Sequence, residues 1–163
     1  MDAIRERLRV ALNARCLPRP LAIDPTQQDD LPCVVIEAQP PTDASCSCGD
    51  RRAPATPARR ALVERQLAQR QQCGTATTPS CASLCLCELA PSEGTAETEC
   101  LNHELGSNTP GYCYINPDAD PPRGNPALVS ECGSLRQMIR LVGPDTPKPG
   151  ATAFIACLGE TAR

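Results

Sequence analysis

Three of the twelve cysteines in this 163-residue chain fall within seven residues, in the run Cys81-Ala-Ser-Leu-Cys-Leu-Cys-Glu-Leu89. A β-strand sends alternate side chains to opposite faces. Cys85 and Cys87 then share one face, and Leu84, Leu86 and Glu88 take the other. Two thiols on one face of a short strand can cross-link to two different neighbours. The run therefore predicts a strand over 83–89 that acts as the hub of a disulfide-held fold.

Such a fold is what the rest of the chain needs. Tyr112, Tyr114 and Phe154 are its only aromatic residues. Aromatic side chains normally dominate core burial, so the core falls to Leu, Val, Ile and Ala. Eighteen prolines and ten glycines commit much of the chain to turns. A thin core needs staples, and six disulfides at ~2–4 kcal/mol each would supply them. The even cysteine count fits full pairing but leaves the connectivity open. Dense disulfides belong to oxidising compartments, so the expected location is extracellular, cell-surface or periplasmic. The start, Met1-Asp-Ala-Ile-Arg-Glu-Arg-Leu8, has no apolar core of a signal peptide. The two readings are reconciled if the sequence is a distal part of a longer exported protein, or lacks its leader. The other resolution is a cytosolic protein whose cysteines bind metal. No stretch reaches the ~18 apolar residues of a membrane span. A net charge of −3, without a basic face or aromatic platform, argues against nucleic acid as a partner.

Read in order, residues 2–14 predict a helix through the stripe Ile4, Leu8, Ala11 and Leu12. The helix ends before Pro18 and Pro20. Cys33-Val-Val-Ile-Glu-Ala38 is a β-branched strand. Thr56-Pro57 offers a helix start, with Thr as N-cap and Pro at the first position. That helix is expected over 57–72, with Leu62, Val63 and Leu67 as its apolar face and Gly74 at its C-terminal end. Arg59-Arg60 opposes the helix dipole and reads as a solvated face. Pro91 to Asn108 reads as a polar, acidic loop containing Cys100. Gly111–Ile115 is a strand, Asn116–Pro126 a loop, and Ala127–Cys132 a helical turn started after Asn125-Pro126. Leu135–Val142, whose periodicity alone fits helix or strand, and Thr152–Cys157 are read as strands, and their connecting turn at 147–150 suggests a hairpin. The fold class is α+β: two helices on a small, mainly antiparallel sheet of about five strands, rich in disulfides. It is read as a single cysteine-rich domain over 1–163, with 74–80 as the place where it would divide.

The residues of consequence are the cysteines themselves: Cys16, Cys33, Cys46, Cys48, Cys73, Cys81, Cys85, Cys87, Cys100, Cys113, Cys132 and Cys157. Expected pairings are Cys16–Cys33, bracketing a polar loop, Cys73–Cys81, closing a short one, and Cys113–Cys132. Cys46-x-Cys48 and Cys85-x-Cys87 are one residue closer than the usual zinc knuckle, and no Cys-x-x-Cys is present. Disulfides are therefore preferred to a metal site. Asp43-Ala-Ser-Cys-Ser47 matches Asp-x-Ser-x-Ser, but Gln-Pro-Pro-Thr precedes it and a cysteine interrupts it, so it reads as a polar loop. Asn116-Pro-Asp-Ala-Asp resembles the start of a calcium loop. Its sixth and twelfth positions are Pro121 and Ala127 rather than Gly and a carboxylate, which favours a turn. His103 is the sole histidine; with no Gly-x-Ser-x-Gly elbow and no paired acid it builds no hydrolase. None of Asn102, Asn108, Asn116 and Asn125 opens a glycosylation acceptor.

Several segments together resemble a known family. They are Cys-Leu-Cys-Glu-Leu at 85–89, Gly-Tyr-Cys-Tyr-Ile at 111–115, Gly124-Asn-Pro-Ala-Leu-Val129 with Glu131-Cys132, Ile139-Arg-Leu-Val-Gly143, and Pro149-Gly-Ala-Thr-Ala-Phe-Ile-Ala-Cys157. Arg15-Cys-Leu17, Pro32-Cys-Val-Val35 and Cys46-Ser-Cys48 agree. This is similar to the cysteine-rich C-terminal region of exported proteins of myxobacteria and related bacteria, which commonly follows a von Willebrand factor A domain. The resemblance implies an extracellular or surface location. It also implies an accessory role beside an upstream A domain or another surface protein. The A domain is not in this sequence. The expectation is a non-enzymatic secreted or cell-surface structural, adhesion-associated module, without cofactor, catalytic residues or metal ligands. Its rival is a zinc- or calcium-binding module.

Overall fold

The β-branched run after Cys33 does form a strand, and the chain folds around it and its neighbours as an α+β, disulfide-rich protein. The computed structural model describes residues 14–18, 21, 32–40 and 46–157. Among these are β1 (Ala14–Cys16), β2 (Cys33–Gln39), β3 (Arg52–Pro54), α1 (Pro57–Gln69), β4 (Cys85–Leu89), α2 (Gly94–Asn102), β5 (Gly111–Ile115), β6 (Met138–Val142) and β7 (Thr152–Cys157). Short 3-10 turns stand at Cys81–Ser83, Pro126–Val129 and Gly133–Leu135. The strands make two sheets, β1-β6-β5 and β3-β4-β2-β7, rather than the single sheet expected. The anticipated hairpin of residues 135–142 with 152–157 is therefore not formed. β6 pairs with β1 and β5, and β7 neighbours β2. The helix expected over 2–14 lies outside the described residues, except that Ala14 opens β1.

The residues divide into two compact units. One comprises Met1–Cys33, Ala90–Thr146 and Ala156–Arg163; the other comprises Val34–Leu89 and Pro147–Ile155.

In the first unit, β5 and β6 are buried along their whole length. Their register sets Arg140 opposite Cys113. Ile115, Val129, Met138 and Val142 form the apolar core with Cys100 and Cys113. The run 91–108 is not all loop, because residues 94–102 are helical. Gly94, Thr95, Thr98 and Asn102 are weak helix formers, so local preference hides this helix. Two tertiary contacts hold α2 instead. One is the disulfide Cys100–Cys113. The other is the Arg140 guanidinium, which donates to the carbonyls of Cys100 (2.8 Å), His103 (2.7 Å) and Glu104. A cation on the last carbonyls of a helix offsets its dipole and fills its unpaired acceptors. Burial lowers the pKa of Arg140, and the Glu104 carboxylate opposes that shift. The helical turn after Asn125-Pro126 forms as expected, with the Asn125 side chain accepting from the Ala127 N–H at 2.9 Å.

Gly143 ends β6 at φ +98°. A Cβ there would stand 2.5 Å from both Cα and N of Pro110. Backbone cannot swing aside as a side-chain tip can. Gly143→Ala is expected to cost about 2–4 kcal/mol, from the left-handed conformation and the overlap together. A denaturant midpoint within error of the parent would refute this.

In the second unit, β4 pairs antiparallel with β2 on one side and β3 on the other. One face of this sheet packs Ile36, Ala38, Leu84 and Leu86 against Val63 and Leu67 of α1. Leu62, expected in the apolar face, is 44% exposed. The helix ends at Gln69 instead of 72, and Gln71 takes the left-handed conformation (φ +57°) before Gly74 does. Thr56 occupies the N-cap position, but its side chain makes no cap. Its N–H is bound instead by the Glu88 carboxylate at 3.1 Å, which also pairs with Arg59. Arg60 bonds Glu64 and the Leu84 carbonyl. The arginine pair stays solvent-accessible, as expected, and also ties α1 to β4 and its approach. Glu88 also answers the unfavourable placement of cations at a helix start.

Candidate four-sulfur site

The other face of the β4 sheet carries the chemistry. Residues directly opposite in an antiparallel pair share a face. The register Glu37↔Cys87 and Gln39↔Cys85, with Pro54↔Cys87 and Arg52↔Leu89, puts these groups together. The alternation read from Cys85-Leu-Cys87 is therefore the alternation observed: sulfurs on one face, Leu86 in the core on the other. The two sulfurs bond two different partners, Cys46 to Cys85 and Cys48 to Cys87. Both bridges span the same interval of 39 residues. One Cys-x-Cys is laid in parallel on another.

All four Sγ atoms lie within 4.8 Å of one another. Those of Cys85 and Cys87 are 3.7 Å apart. Cys48, Cys85 and Cys87 are buried, while Cys46 is exposed. Beside them Glu37 and Arg52 form a buried two-pronged ion pair, Nε to Oε2 at 2.7 Å and Nη2 to Oε1 at 3.1 Å. The Lys148 ammonium donates to the Ser47 carbonyl at 3.4 Å, inside the Cys46–Cys48 loop.

The remaining cysteines pair as Cys16–Cys132, Cys33–Cys157, Cys73–Cys81 and Cys100–Cys113, and no described cysteine is free. Cys73–Cys81 closes its short loop as expected. Cys16–Cys33 and Cys113–Cys132 do not form. Cys113 is taken by Cys100 of the unforeseen helix. Cys16 and Cys33 are each bridged more than a hundred residues along the chain. Proximity in sequence was the only signal for the two failed pairs. Of the six bridges, proximity finds only Cys73–Cys81; Cys46–Cys85 and Cys48–Cys87 join two matching Cys-x-Cys runs, a match that does not by itself choose the pairing.

The other sequence candidates resolve into turn chemistry. In 116–127, the Asn116 side chain accepts from the Asp118 N–H, and Asp118 pairs with Arg136 at 3.1 Å. Arg123 and Asn116 exchange backbone hydrogen bonds that close the loop. His103 follows the end of α2, its ring exposed and its carbonyl engaged by Arg140. Residues 43–45 of the Asp-x-Ser-x-Ser match lie outside the described residues.

Fold and site together define a small α+β protein cross-linked by six disulfides. No protein-family model, no curated protein and no solved structure matches the chain.

Proposed function

We infer that this chain is a non-enzymatic structural module of an exported or cell-surface protein, adhesion-associated and serving beside a larger partner domain. The observation that carries the reading is the complete pairing of all twelve cysteines. Such pairing persists in oxidising compartments and is opposed by cytosolic thiol reductants. Among the described residues no helix is long and apolar enough to cross a membrane. The A-domain-associated role rests on the resemblance of residues 81–159 to exported myxobacterial proteins. The test is alkylation of the denatured exported protein before and after reduction, read by intact mass. The expected result is no alkylation before and twelve additions after. Several free thiols in the exported protein would remove the reading's basis.

A further inference from the structure

The paired Cys-x-Cys bridges have a geometry that a stapling role does not require. Two disulfides can brace a strand from separate places; here their four sulfurs are gathered within 4.8 Å. A tetrahedral S4 zinc site has Zn–S bonds of ~2.3 Å, so its sulfurs are ~3.8 Å apart along every edge. Cys85 and Cys87 already stand 3.7 Å apart. Opening the two S–S bonds lets the bonded sulfurs separate to that edge with the strand pair unmoved. The short Cys-x-Cys spacing, unsuited to a turn knuckle, is suited to a strand, where i and i+2 share a face.

We propose that Cys46, Cys48, Cys85 and Cys87 form a latent metal site, closed as two disulfides when oxidised and able to hold one zinc-class divalent ion as a tetrathiolate when reduced. This goes beyond the structural role and does not depend on it. Three further features support it. The Gln39 Nε2 is buried without a hydrogen-bond partner, and Gln39 faces Cys85 in register. An amide N–H that lacks an acceptor beside a disulfide gains one in a thiolate. The Lys148 ammonium, held against the Ser47 carbonyl, supplies positive charge next to a site that would carry two net negative charges. Finally, Cys46 is exposed while the other three are buried, which gives a reductant one point of entry.

The chemistry balances with a dithiol as the reductant. A dithiol thiolate attacks Cys46 Sγ, and Cys85 leaves as its thiolate. The second thiol of the dithiol then displaces Cys46 as it closes to a cyclic disulfide. With Cys46 released, the 46–48 segment is freed from β4 and a second dithiol reaches Cys48 Sγ; Cys87 leaves as its thiolate, and the dithiol's second thiol displaces Cys48 as it closes. Four electrons and four protons pass to the protein. Binding of the divalent ion to the four thiols then releases up to four protons.

The experiment uses the folded full chain, treated with two equivalents of dithiol so that two of the six bridges open, desalted without oxygen and titrated with Co2+. A single equivalent is expected to give the intense visible bands of tetrahedral cobalt with thiolate-to-cobalt charge transfer, and Zn2+ should abolish them. The signal should vanish in Cys46→Ser/Cys48→Ser and persist in Cys73→Ser/Cys81→Ser. Alkylation of the zinc-loaded parent chain, mapped by peptide, reads the same point without a variant: Cys46, Cys48, Cys85 and Cys87 should be protected while zinc is bound and alkylated once it is chelated, the other eight remaining bridged throughout. No cobalt signal in the parent, survival of the signal in Cys46→Ser/Cys48→Ser, or protection of a different set of cysteines would overturn the proposal. None of those outcomes bears on the pairing found in the exported, oxidised protein.

Discussion

Replacing Cys33 and Cys157 together by alanine should destabilise the protein by about 5 kcal/mol, against about 2.5 kcal/mol for the Cys73–Cys81 pair. The difference comes from the unfolded chain. The first bridge joins residues 124 apart and the second residues 8 apart. Loop-closure entropy grows with the logarithm of that separation. The long bridge also joins the first residue of β2 to the last of β7, so its loss frees two strand ends. Urea unfolding of both double variants under non-reducing conditions measures the contrast. Equal losses would show that the long bridge acts through native contacts and not by restricting the unfolded state.

Glu37→Ala should cost about 3–5 kcal/mol, because it leaves the Arg52 cation buried without its carboxylate. The side chains of Arg52 and Glu37 are 4% and 0% exposed, and both carboxylate oxygens are bonded. The double variant Glu37→Met/Arg52→Met should recover most of that loss, since removing both charges also removes both desolvation costs. Denaturation midpoints of the three proteins give the coupling directly. A double variant as unstable as the single would mean that the pair adds net stability to the sheet. A harmless Glu37→Ala would mean that water reaches Arg52.

What could be read from the sequence was what local chemistry decides. The β-branched run at 33–38, Pro57 at a helix start, Asn125-Pro126 before a turn and the face alternation at Cys85–Cys87 all carry their instruction within a few residues. Helix α2 does not. Its Gly and Thr residues argue against it, and a disulfide and Arg140 from a strand some forty residues later impose it. The arginine pair 59–60 is solvent-accessible as read, but its link to β4 was not legible, because Glu88 lies 29 residues from Arg59. The division of the strands into two sheets follows from pairings such as Ala14↔Arg140, which no local pattern encodes. The site shows the same split. That Cys85 and Cys87 serve two partners was legible from strand period alone; that those partners are the matching Cys-x-Cys at 46–48 was not.

The disulfide framework holds this fold together, and peptide mapping of its linkages is the measurement to make first. Trypsin cuts neither between Cys46 and Cys48 nor between Cys85 and Cys87, so the non-reduced digest must be opened stepwise, each freed thiol labelled before the next reduction. Six linked pairs are expected, with Cys46 joined to Cys85 and Cys48 to Cys87. A crossed pairing of those four, or free thiols among them in the oxidised protein, would contradict it.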